Sequence, residues 1–143
     1  VANEKYDNLT TLMVTGQLNW PVDPISALLV TGAAFDKSDT TLSDSGGTWV
    51  AVVPVPGRAV DAAGNLLGLA VSFNYIGKGA TYQMLIVKEV GPGLPASLLA
   101  FYDTDDQDNP LTLKDNGTLI VRPQAPQESV PDSTQGIWIQ API

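Results

Sequence analysis

Apolar positions along this chain come in short runs, and the runs end at Gly, Pro, Asn or Asp. Side chains of a strand point alternately to its two faces, whereas those of a helix return to one face every three or four residues. Period two dominates here. Within residues 81–90, Tyr82, Met84, Ile86, Lys88 and Val90 fall on one face, and Gln83, Leu85, Val87 and Glu89 on the other. Within residues 66–75, Leu67, Leu69, Val71, Phe73 and Tyr75 alternate with smaller or polar neighbours, which predicts one continuous strand. Residues 25–31 are apolar almost throughout, as in a strand covered on both sides. Residues 49–55 and 97–103 predict two more strands, and Pro54 puts the first at a sheet edge or at its own end. Residues 10–16, rich in Thr and Val and closed by Gly16, predict another.

The punctuation is as regular as the runs. Trp20-Pro21-Val22-Asp23-Pro24 is a rigid turn, because prolines cannot donate to a ladder. The Asp and Ser residues of 35–44 suit caps and Asx turns, with room for one short helical turn. Asp61-Ala62-Ala63-Gly64 predicts a hairpin turn, Gly77-Lys78-Gly79 a second reversal, and Gly91-Pro92-Gly93-Leu94-Pro95 a loop. Residues 111–121 predict a hairpin around Asp115-Asn116-Gly117. A three-residue loop there pairs Leu113 with Leu119 and Leu111 with Val121, all on one face. A two-residue loop would scatter them over both faces.

Short strands separated by turns, without a long amphipathic helix, predict an all-β fold: an antiparallel β-sandwich or barrel-like domain. Residues 9–122 form that domain. Residues 1–8 are a polar N-terminal arm, and residues 123–143 a Pro-rich linker and C-terminal arm. The last segment closes with Ile137-Trp138-Ile139 and reaches Ile143. Such apolar residues need a place to bury: their own sheet, or the sheet edge of a neighbouring subunit. On the second reading Trp138, Ile139 and Ile143, with Tyr6 in the other arm, are interface anchors. Deleting residues 123–143 would then leave a folded domain that no longer assembles.

Composition narrows the function. At 143 residues and 44% apolar content, one domain can close a core. Seven basic against fifteen acidic residues give a net charge of −8, which disfavours nucleic acid and anionic membranes as partners. There is no His and no Cys. Ser-His-Asp catalysis is therefore closed to this chain, and no disulfide framework exists. No segment reads as a signal peptide, so the expectation is a soluble chain made in the cytoplasm. Paired carboxylates remain, but the Asp residues sit mostly at turns, where they have conformational work. No cofactor and no enzymatic activity are expected.

Two features offer binding chemistry. Residues 103–109 begin like a calcium loop, but Asp108 stands where an EF-hand has Gly and Lys114 where it has Glu. A solvated loop fits better, and no metal site is expected. Trp20, Trp49 and Trp138 with Tyr6, Tyr75, Tyr82 and Tyr102 form either core or a sugar-stacking platform.

Residues 28–44 (Leu-Leu-Val-Thr-Gly-Ala-Ala-Phe-Asp-Lys-Ser-Asp-Thr-Thr-Leu-Ser-Asp) resemble an opening seen in small structural proteins of tailed bacteriophages. The blocks 82–88 and 97–103 resemble the paired strands that close those domains. The likeness covers residues 25–122; the acidic loop and the Trp-bearing tail depart from it. It implies a β-sandwich without catalytic residues, located in the virion. Its partners would be copies of itself and other virion proteins, either the major capsid protein or connector and tail proteins. Capsid decoration or cementing is the first expectation, and a head–tail connector or tail and baseplate role the alternative. A carbohydrate- or receptor-binding module is a third reading.

Overall fold

The computed structural model describes residues 4–90, 96–104, 110–122 and 136–141. In chain order the elements are β1 (Glu4–Lys5), α1 (Asp7–Val14), β2 (Ile25–Thr31), α2 (Leu42–Ser45), β3 (Thr48–Pro54), β4 (Ala59–Val60) and β5 (Leu66–Gly68). There follow β6 (Val71–Ile76), β7 (Gln83–Lys88), β8 (Ser97–Tyr102), β9 (Gly117–Val121) and β10 (Gly136–Ile139). Every strand pair is antiparallel. A five-stranded sheet runs β1-β8-β7-β2-β3, a three-stranded sheet β10-β5-β4, and β6 pairs with β9. The sheets are open, so the fold is β-sandwich-like and not a barrel.

The five-stranded sheet is apolar on both faces. On one face Ile25, Ala27, Leu29, Met84 and Ile86 meet Leu66, Phe73, Leu119, Val121 and Trp138 from the two smaller sheets, with Leu9 and Leu12 of α1. On the other, Leu28, Val30, Leu85, Val87, Leu98 and Phe101 are covered by Tyr6 and by Ala33, Phe35 and Leu42 of the 33–45 segment. The alternation read in residues 81–90 therefore assigns each side chain to its face. Burying a Leu, Ile or Phe stabilises a fold by about 1.5–3 kcal/mol. Two cores sharing one sheet explain why the middle of β2 (Ala27–Val30) and of β7 (Met84–Val87) is apolar on both faces, with Gln83 and Lys88 only at the ends of β7.

Four expectations are corrected. Residues 10–16 are not a strand: Leu9, Leu12 and Met13 form a helical stripe, and Asp7 lies in the first turn, where negative charge suits the helix dipole. Gly16, at φ 72°, ends α1. Its N–H bonds Met13 O at 3.2 Å and the Gln17 N–H bonds Leu12 O at 2.8 Å, a Schellman pair. Packing at helical spacing outweighs the β-propensity of Thr and Val. Residues 66–75 do not form one strand: the chain changes sheets after Gly68. Trp138 forces the glycine there, since a Cβ on Gly68 would stand 2.7 Å from the indole.

The 111–121 hairpin is also absent. β9 pairs with β6, matching Val71 to Val121 and Phe73 to Leu119, while Leu111 bridges Tyr82. Leu111, Leu119 and Val121 still lie in one core with Leu113 against it. Alternation chose the face correctly, but the ladder partner is distant in sequence. Lastly, the described parts of the two ends are not free arms: β1 pairs with β8 and β10 with β5.

Other expectations hold as drawn. In the β4–β5 turn the Asp61 carboxylate accepts from the N–H groups of Ala63 and Asn65 at 3.0 and 2.9 Å, and Gly64 takes a positive φ. The 20–24 turn is fastened by Arg58, whose guanidinium donates to the carbonyls of Trp20, Val55 and Asp23 at 2.7, 2.8 and 2.5 Å. The short helical turn is α2, closed by a capping box between Thr41 and Asp44.

Candidate interaction surface

The residues singled out as interface anchors pack within their own chain. Tyr6 is buried, its ring 5.0 Å from Phe35, which lies 5.5 Å from Phe101. The Tyr6 hydroxyl has no hydrogen-bond partner among the described residues. Burial, with the nearby Asp39 and Asp36 carboxylates, pushes that phenol well above its ordinary pKa, so it stays neutral. Trp138 stands edge-on to Tyr102 at 5.5 Å, its indole N–H donating to Leu69 O at 3.2 Å. The buried Tyr102 hydroxyl donates to Trp138 O, and burial raises its pKa. Ile139 is buried beside them. Of the two readings of the C-terminal segment, the chain's own sheet takes Trp138 and Ile139. Ile143 lies outside the described residues.

Where the two ends approach each other they enclose a cleft of about 290 Å³, lined by Glu4, Lys5, Tyr102, Trp138 and Gln140 among others. The Lys5 ammonium reaches Gln140 O at 3.2 Å and ties the first strand to the last. The cleft lies between β1 and β10.

Charged side chains elsewhere do structural work. Asp44 accepts from the N–H groups of Thr41 and Thr40, and Asp36 from Ser38, which hold both carboxyls below the usual range. Asp61 is lowered by Asn65, and Asp23 by the Asn19 N–H and by Lys88 at 3.2 Å. Among the described residues no group of His, Cys, Asp or Glu is placed to hold a metal ion, and no helix is long and apolar enough to cross a membrane. Residues 105–109 of the acidic loop lie outside the described residues.

The exposed aromatic rings stand on β3 and on β6. β3 ends the five-stranded sheet. Its Trp49 and Val52 pair with Val30 and Leu28, on the face that the 33–45 segment covers further in. That cover stops short of β3: Trp49 is 60% exposed and Val52 44%. On β6, Tyr75 is 99% exposed and has φ 60°. It sits where β6 carries one more residue than β9 between the Phe73–Leu119 and Ile76–Gly117 pairs, a β-bulge. Sequence alternation put Tyr75 with the inward residues; the bulge turns it out. Only the three-dimensional pairing reveals that inversion.

Compared with known protein families, curated proteins and solved structures, the chain matches none.

Proposed function

We propose that this chain is a non-enzymatic structural component of a tailed-phage virion, most simply a capsid decoration or cement protein. The observation that carries the structural role is the exposure of Trp49 and Val52 on the edge strand β3, which holds no charged residue, in a chain of net charge −8. Exposed apolar surface of that kind marks a contact with another macromolecule. The resemblance of residues 25–122 to small phage structural proteins supplies the setting. Its partners are copies of itself and the virion proteins it packs upon.

A cement protein binds the assembled shell and not its separated subunits, so it stabilises the shell by mass action. Particles stripped of this chain are expected to release their contents at a lower temperature, and adding the purified chain back should restore the original midpoint. Stripped particles as heat-stable as intact ones would remove the cement role and favour the head–tail connector or tail placement. The exposed rings of Trp49 and Tyr75 favour a second reading, a carbohydrate-binding module. Protein fluorescence titrated with oligosaccharides tests it: a saturable change would move the chain to that class.

A further inference from the structure

Asn116 is the only asparagine of the chain that is followed by glycine. It is exposed, in the bend just before β9, and Gly117 is the first residue of that strand. Its side chain reaches the turn after β6, where Oδ1 accepts from the Lys78 N–H at 2.9 Å. We propose that Asn116 is a site of self-modification: its side chain closes on the backbone nitrogen of Gly117 to a cyclic imide, which water opens to aspartate and isoaspartate. The chemistry needs only the fold and water, whatever the chain is built into.

Atoms balance without an oxidant or a cofactor. The Gly117 nitrogen gives up its proton and bonds to Asn116 Cγ. The Cγ–Nδ2 bond breaks, and Nδ2 leaves as ammonia with that proton. Water then attacks one of the two imide carbonyls. Attack at Cγ returns an ordinary aspartate. Attack at the main-chain carbonyl leaves the backbone running through Cγ, an isoaspartate with one extra methylene ahead of the core residues Leu119 and Val121. Either product carries one more negative charge at neutral pH.

The local structure favours each stage. Nucleophile and electrophile are joined by the chain, so closure is intramolecular. Glycine leaves the attacking nitrogen unshielded, and nothing lies within 4 Å of where a Cβ on Gly117 would stand. As the nitrogen attacks, negative charge develops on Oδ1, the atom to which the Lys78 N–H already donates. Closure also needs the backbone at 116–117 to turn. The Ile76–Gly117 rung is the last of the β6–β9 ladder, separated from the Phe73–Leu119 rung by the β-bulge. The end of a ladder opens locally at small cost. A hollow of about 380 Å³, lined by Tyr75, Ile76, Gly77, Asn116 and Gly117, admits water to the imide. Asn8, Asn19, Asn65 and Asn74 precede Leu, Trp, Leu and Tyr, whose side chains shield the corresponding nitrogen.

The test is incubation of the intact chain in warm, mildly alkaline buffer, followed by peptide mass mapping that separates aspartate from isoaspartate. The same chain unfolded in guanidinium chloride and the variant Gly117→Ala run beside it, with a thermal melt of the variant. The folded parent should exchange amide for acid at Asn116 ahead of every other asparagine, with both products present. Gly117→Ala should slow the exchange by about tenfold or more, or about 1.4 kcal/mol on the barrier. It should melt no lower than the parent, because its Cβ meets nothing. A folded chain that keeps Asn116 intact while the unfolded chain converts would overturn the inference, since the fold would then protect the site. So would a variant that converts as fast as the parent, or aspartate as the sole product, which marks direct hydrolysis without an imide.

Discussion

Tyr102 and Asp44 are shifted in opposite senses, so each makes stability depend on pH at one end of the range. Asp44, Asp36, Asp61 and Asp23 accept hydrogen bonds in the folded state that hold their carboxyls below the ordinary value. The unfolded chain therefore binds protons first as the pH falls. Their stabilisation is present above the unfolded value of about 4 and is lost as the pH drops through the lower folded values. Asp39, raised by desolvation and by Asp36 and Asp44, opposes them. The buried phenols of Tyr102 and Tyr6 are raised. Their contribution is complete below about pH 10 and is lost above it, because the unfolded chain ionises first. With no histidine present, nothing of that type titrates between these limits. The melting temperature is expected to be flat from about pH 5 to 9 and to fall on both sides. A step near pH 6–7 would contradict this assignment of groups.

At the scale of elements, the last strand matters most for stability. β10 places Trp138 and Ile139 in the principal core, and Gly68 exists in the form that admits the indole. Trp138→Ala is expected to cost about 3–5 kcal/mol. Removing residues 123–143 takes the whole strand away and should leave a chain that no longer melts cooperatively, since net stabilities are only about 5–15 kcal/mol. This reverses the expectation that the shortened chain would stay folded and lose only assembly. Calorimetry decides: a sharp transition in the truncated chain at the parent temperature would place β10 outside the core.

Elements were legible to the extent that period decides them. β2, β7 and β8 stand close to where alternation puts them, with the two faces of β7 assigned residue by residue. α1 was hidden because Thr and Val favour strands locally, while its helical stripe is only Leu9, Leu12 and Met13. The pairing of β9 with β6 was hidden for a different reason: alternation fixes which way a side chain points, not which strand lies alongside. Tyr75 combines both difficulties, since a one-residue bulge inverts its face. Its exposure was therefore invisible to a period-two reading.

The whole molecule joins a sheet covered on both faces to end strands that pair with it and with the smaller sheet, and it leaves the rings of Trp49 on β3 and Tyr75 on β6 exposed. A net charge of −8 makes separate copies repel one another. Such a unit suits a place in a larger array, and the virion reading gives the array a name. Its most direct test is immunogold labelling of purified phage particles with an antibody to this chain. Label is expected over the whole capsid, in many copies per particle. Label confined to the neck or tail would move the chain to the connector or tail role, and particles without any label would contradict the central claim.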